Sequence, residues 1–169
     1  MTVDELIAHI GAMEGVVIDV ASAASGAPEV AWGDVFCFHQ KSVDAPRDHR
    51  SMFATIVMHD YPGFDEASNL SRDGAFRLNV AVGAATFERL IGRRPGAAKS
   101  STADTDFAAG DRVLPHPVYS AQAWVSIVNP GRATHDLALE ILSIAHARVR
   151  GRHDSALARR RVPKSPPAR

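Results

Sequence analysis

The sequence predicts an α+β domain, an antiparallel sheet with helices packed on one face. Two observations carry this. Residues 35–40 (VFCFHQ), 53–59 (FATIVMH) and 75–82 (AFRLNVAV) read as strands that follow one another without an intervening helix, which argues against βαβ units. In the third run Phe76, Leu78, Val80 and Val82 fall on one side and Arg77 and Asn79 on the other. One face is then buried and the other wetter, as in an antiparallel sheet covered on one side.

The remaining elements fall around these strands. Thr2-Val3-Asp4-Glu5 has the capping-box pattern and Leu6, Ile7 and Ile10 form an apolar stripe, so a helix is expected over about 3–13. Val16, Val17, Ile18 and Val20 suit a short first strand, and 21–28, rich in Ala, Ser and Gly, a loop. In 35–40 two Phe fall on one face and Val35, Cys37 and His39 on the other. Residues 41–52 read as a polar loop, and 60–74 as a connection too polar to be core. Ala84 to Ile91 suits a short helix ended by Gly92, and 92–106 a mobile stretch of small residues, with a turn near Phe107. In RVLPHPVYSAQAWVSIVNPG, residues 112–131, each Pro pushes the residue before it toward an extended conformation, so Leu114 and His116 form a stiff lead-in to a strand beginning at Val118. A last helix from about Thr134 to Arg150 carries Leu137, Ile141, Leu142, Ile144, Ala145 and Val149 on one broad face.

At 169 residues the chain suits one α+β domain, 1–150, followed by a basic, disordered tail, 151–169. The formal charge of zero hides an asymmetry. From Ala147 onward eight basic residues face one acidic, while residues 1–146 hold 11 basic and 18 acidic. The lone Cys37 has no disulfide partner in the chain, and no long apolar run suggests a signal peptide or membrane span. A cytoplasmic location is expected.

GDVFCFH, FATIVMHDYPGFDEASNL, FRLNVAVGAATFERLIG and LPHPVYSAQAWVSIVNPG together resemble a bacterial domain family of unknown function, from Thr2 to Val149. More distantly, the order of helix, antiparallel sheet, aromatic-led last strand and helix is similar to the YjbR/MmcQ group. That resemblance implies a frataxin-like fold and carries a label of DNA binding. Neither family implies catalytic residues, and the tail after Gly151 is expected to lie outside both.

Three constellations offer chemistry. Arg77, Asn79, Tyr119 and Trp124, joined by His116, suit a ligand site on the open sheet face, with Arg as a planar fork for a carboxylate or phosphate beside an aromatic wall. The plainer reading is an outward Arg over a solvated face. His39, His59 and His116, with Asp60, suit a divalent ion if the first two share a facing on neighbouring strands. The plainer reading is strand-end histidines. Arg159, Arg160, Arg161 and Lys164 suit phosphate contacts to nucleic acid, although an acidic body repels a polyanion and no aromatic residue interleaves the tail.

Other chemistry is not indicated. GxSxG, P-loop and GxGxxG motifs are missing. Cys37, between Phe36 and Phe38, reads as an inert packed thiol, and Asp65-Glu66 and Asp104 with Asp106 as solvated loop carboxylates. The expectation is therefore a small-ligand or partner-binding domain with no catalytic set and no cofactor. Its alternatives are weak nucleic-acid binding and a metal-dependent enzyme. A homodimer through the open sheet face is a further expectation.

Overall fold

A computed structural model describes residues 1–40, 51–97 and 105–161, apart from the side chains of residue 153 and residues 156–161. Helix α1 spans Val3–Gly11, and its start is fixed by the expected capping box. The Thr2 hydroxyl accepts from the Glu5 N–H at 3.2 Å, and the Glu5 carboxylate accepts from the Thr2 N–H at 2.8 Å. Strands β1 (Val16–Val20), β2 (Val35–His39), β3 (Met52–Val57) and β4 (Arg77–Ala81) follow. Helix α2 (Ala84–Ile91) ends at Gly92, whose φ of 77° is the left-handed conformation a side chain would disfavour. The chain closes with β5 (Leu114–Pro115), β6 (Trp124–Val128) and α3 (His135–Arg161). The sheet has six strands in the order β1-β2-β3-β4-β6-β5, every neighbouring pair antiparallel.

The predicted facing of β4 appears in the register. Leu78 pairs with Ile56 and Ile127, and Val80 with Ala54 and Val125, so these side chains share one face. That face is covered by Leu6 and Ile10 of α1 and by Ala138, Ile141, Leu142, Ala145 and Val149 of α3, all buried in one core. Each fully buried Leu or Ile contributes ~1.5–3 kcal/mol. Cys37 lies in this core with no exposure, and burial pushes its thiol up to about 12, which fits an inert packed thiol.

Several expectations require correction. The strand predicted from Val118 begins at Trp124 instead. Residues 114–115 pair back onto 125–126, and a turn with a 3-10 segment at Ser120–Gln122 joins the two strands. Local hydrogen bonding makes this turn, because Nδ1 of His116 accepts from the backbone N–H groups of Val118 and Tyr119, each at 3.1 Å. Ala123 completes it at a φ of 62°. The last helix continues past Arg150 to Arg161, so 151–161, expected as the first part of a disordered tail, are helical. The segment 60–74, expected to stay out of the core, buries Leu70 with Val57, Ala75 and Val128 in a second cluster. Residues 41–50, most of one expected loop, and 98–104, part of another, lie outside the described residues, as does Lys164.

Helix α3 starts from a carboxylate distant in sequence. Asp111 accepts from the N–H groups of Gly131, Ala133 and Thr134 and from the Thr134 hydroxyl at 2.6 Å. The Thr134 hydroxyl, foremost, and these N–H groups hold the Asp111 carboxyl down at about 2.

Candidate functional site

The face of the sheet opposite the helices is not bare. Register places Phe36, Thr55 and Asn79 in one row across β2, β3 and β4, with Val57 and Arg77 in the next. Trp124 pairs with Ala81 and Ser126 with Asn79, so Trp124 and Arg77 stand on the same side. The segments 21–34 and 58–76 and the β5–β6 turn rise around this floor and form the walls of a half-open cavity of about 530 Å³. Arg77, Asn79, His116, Tyr119 and Trp124, the five residues predicted for a ligand site, all line it.

The floor is a buried polar network. Arg77 is 1% exposed. Its Nε–H donates to Oδ1 of Asn79 at 2.8 Å, one terminal nitrogen to Asp65 at 3.1 Å and Ser68 at 2.7 Å, and the other to Asp65 at 2.5 Å. Asn79 in turn donates to the Thr55 hydroxyl at 3.0 Å. Four of the five guanidinium donors are thus engaged, and the fork grips Asp65 in the bidentate geometry that Arg and carboxylate favour. This corrects two expectations. Arg77 is not an open fork for an anion, and Asp65 is not a solvated loop carboxylate. Glu66 is exposed and accepts from the Gly63 N–H, as a loop residue would.

The walls are aromatic. His116 and Tyr119 have ring centroids 5.0 Å apart, His116 and Trp124 meet edge-to-face at 6.5 Å, and Phe64 and Tyr119 at 6.2 Å. Phe64 and Tyr119 are exposed at the rim. Tyr61 lines the cavity and donates its O–H to the buried Asp34 carboxylate, which also accepts from the Met58 N–H at 2.7 Å. Burial raises the Asp34 carboxyl above its ordinary range against the lowering effect of these bonds. Trp32 donates to the Ala27 carbonyl at 3.0 Å and pins the loop that brings Ala27 and Pro28 to the mouth.

His116 is 3% exposed and its ring is pushed down to about 3, chiefly by burial and then by the Arg77 charge. It is therefore neutral near pH 7. Because Nδ1 accepts two backbone N–H bonds, the proton resides on Nε2.

The three histidines considered for a metal are not brought together. His39 lies on the helix-covered face, packed edge-on against His146 at 5.2 Å. His59 is exposed just beyond the end of β3, near Asp34, at the other end of the β2–β3 pair. His116 is in the cavity on the opposite face, and Asp60 is engaged by the N–H groups of Leu70 and Ser71. No cluster of three or more His, Cys, Asp or Glu side chains suited to a metal occurs among the described residues. Arg159, Arg160 and Arg161 fall in the final turn of α3.

The sequence reading missed Tyr61, Phe64, Asp65 and Ser68. One signal was available, since an Arg in mid-strand between apolar neighbours needs a carboxylate if its face is covered.

Residues 1–160 match the family described as a family of unknown function, DUF6194. The chain belongs to that family. The DUF6194 match runs through the arginines at the end of α3, so the segment after Gly151, expected to lie outside the family, belongs to it as far as residue 160. No curated protein and no solved structure matches the chain. No helix among the described residues is long and apolar enough to cross a membrane.

Proposed function

We propose that the domain binds a small molecule in the cavity over its sheet. The carrying observation is the convergence of Arg77, Asn79, His116, Tyr119 and Trp124 on one half-open cavity of about 530 Å³. That volume falls within the range of roughly 300–1,000 Å³ usual for ligand pockets, and an apolar lining with a few fixed polar groups is their usual chemistry. Nothing in this reading requires catalysis. A flat dimer through the same face would have to displace the loops that wall the cavity.

The test is an amide-correlation NMR titration of the full chain with a library of small aromatic fragments. The reading expects shifts at the Trp124 indole N–H and in residues 114–128. Ala27→Trp, which plugs the mouth, is expected to abolish them while the melting temperature holds. If no fragment moves these signals, the reading falls.

Weak nucleic-acid binding is the second reading. It is supported by the continuation of α3 through Arg159, Arg160 and Arg161, with Lys164 three residues beyond. Kinship with the YjbR/MmcQ group, a frataxin-like fold and a bacterial origin are inferred from the motifs and from terminal helices on one face of an antiparallel sheet. A cytoplasmic location is supported by the lone buried thiol of Cys37.

A further inference from the structure

Charge decides what the cavity accepts. Of the groups lining it, Arg77 and Asp65 carry opposite charges and hold each other at 2.5 Å. An anion entering the cavity meets a guanidinium already matched and a carboxylate beside it. A cation meets a carboxylate already matched. Either ion would lose its hydration without gaining a counter-charge, an expensive transfer into apolar surroundings. Tyr61 and Tyr119 add neutral rings, and the Tyr61 hydroxyl is held by Asp34.

Besides the fifth guanidinium N–H of Arg77 and the hydroxyls of Thr55 and Tyr119, two uncharged side chains of the lining have a nitrogen donor to offer, and polar selectivity rests chiefly on them. His116 presents Nε2–H, because both backbone bonds to its ring are made at Nδ1. The amide of Asn79 makes one bond as a donor, to Thr55, and retains a second N–H. Both side chains line the same space as Phe36 and Trp124.

We infer that the cavity takes an uncharged, flat, ring-bearing molecule whose single hydrogen-bond acceptor, a carbonyl or ring nitrogen, meets Nε2–H of His116. This rests on the reading of the cavity as a ligand site. The aromatic side chains supply stacking and edge contacts to the ring, and His116 fixes which edge points inward. The rim residues Phe64 and Tyr119, from two different loops, offer further apolar contact at the mouth.

Three probes share one skeleton and separate the terms: naphthalene, 2-acetylnaphthalene and 2-naphthoate, titrated into the full chain by calorimetry at pH 7. The expected order is 2-acetylnaphthalene about five- to tenfold tighter than naphthalene, the effect of one hydrogen bond to a buried donor, with 2-naphthoate weakest. In His116→Asn the amide oxygen can replace Nδ1 in the turn, but no donor reaches the place of Nε2–H. That variant is expected to bind naphthalene and 2-acetylnaphthalene equally. A readout that needs no variant is the His116 Nε2 nitrogen resonance, which should move with 2-acetylnaphthalene and stay with naphthalene. Equal binding of the two neutral probes by the wild-type chain, or tightest binding of 2-naphthoate, overturns the inferred ligand class while leaving the ligand site standing. Failure of all three to bind also overturns the inferred ligand class, and the fragment titration then decides whether the ligand site stands.

Discussion

Arg77 and Asp65 face each other through two hydrogen bonds, at 2.5 and 3.1 Å, with side chains 1% and 6% exposed. One comes from a strand in the middle of the sheet and the other from the loop above it, so the pair both closes the fold and neutralises the cavity floor. Removing one partner leaves a buried charge unmatched.

Asp65→Ala should therefore destabilise the domain by ~3–5 kcal/mol in urea unfolding, and Asp65→Leu combined with Arg77→Met should recover most of that loss. Asp65→Asn keeps an acceptor for Arg77 while freeing its positive charge, so the variant should gain affinity for 2-naphthoate. A loss below 1 kcal/mol for Asp65→Ala would mean that water reaches Arg77 from below.

The His116 ring is pushed to about 3 from an ordinary value of 6.5. Below pH 6.5 the unfolded chain takes up a proton at this position that the folded chain refuses. The stability tied to a neutral His116 is thus complete above about 6.5 and declines as the pH drops toward about 3. Relative to His116→Asn, the wild-type chain should lose stability over that window. Affinity for 2-acetylnaphthalene should stay flat between about pH 5 and 8. An affinity midpoint near 6.5 would show that the ring titrates normally and that the donor is not fixed.

Asp111 works at the opposite end of β6 from His116, its N–H bonded to the Val128 carbonyl at 2.8 Å. Its carboxyl is held at about 2, below an ordinary 3.8, so the stability it adds is present above 3.8 and disappears as the pH falls through about 2. Asp111→Ala should lower the melting temperature at pH 7, and its gap from the wild type should close in that acid range. A gap unchanged between pH 5 and about 2 would locate the effect in packing rather than charge.

A chain ending at Arg150 retains Val149, the last residue of the helix face buried in the core. It should fold with an unchanged melting temperature and, under the nucleic-acid reading, lose retention on DNA at low salt. Each phosphate contact removed should flatten the salt dependence by about one unit of log–log slope. Unchanged retention would remove that reading.

Much of the fold was legible because it rests on short-range patterns. The Thr2 capping box, the alternation of 75–82 and the stop at Gly92 each use residues within a few positions of one another, and all appear where expected. The α3 boundary was placed too early because 151–161, GRHDSALARRR, holds a single large apolar residue, Leu157, and so shows no apolar stripe to read. The strand at Val118 was misplaced for a different reason. The turn depends on which nitrogen of His116 captures the backbone, and residue type does not specify that.

The sequence by itself determined that Arg77 and Asn79 share the face opposite Leu78 and Val80, because strand geometry alternates with period two. The contact between His116 and Trp124 was not legible in it, because the chain was expected to run straight on from Val118 and instead turns back on itself. What only the tertiary structure decided is the state of that face. The segments 21–34 and 58–76 fold over it, bringing Asp65 from a polar loop to Arg77 and converting an anion fork into a matched pair at the base of a cavity. Burial and charge pairing are long-range properties: they depend on what folds over a residue, and no local pattern records that.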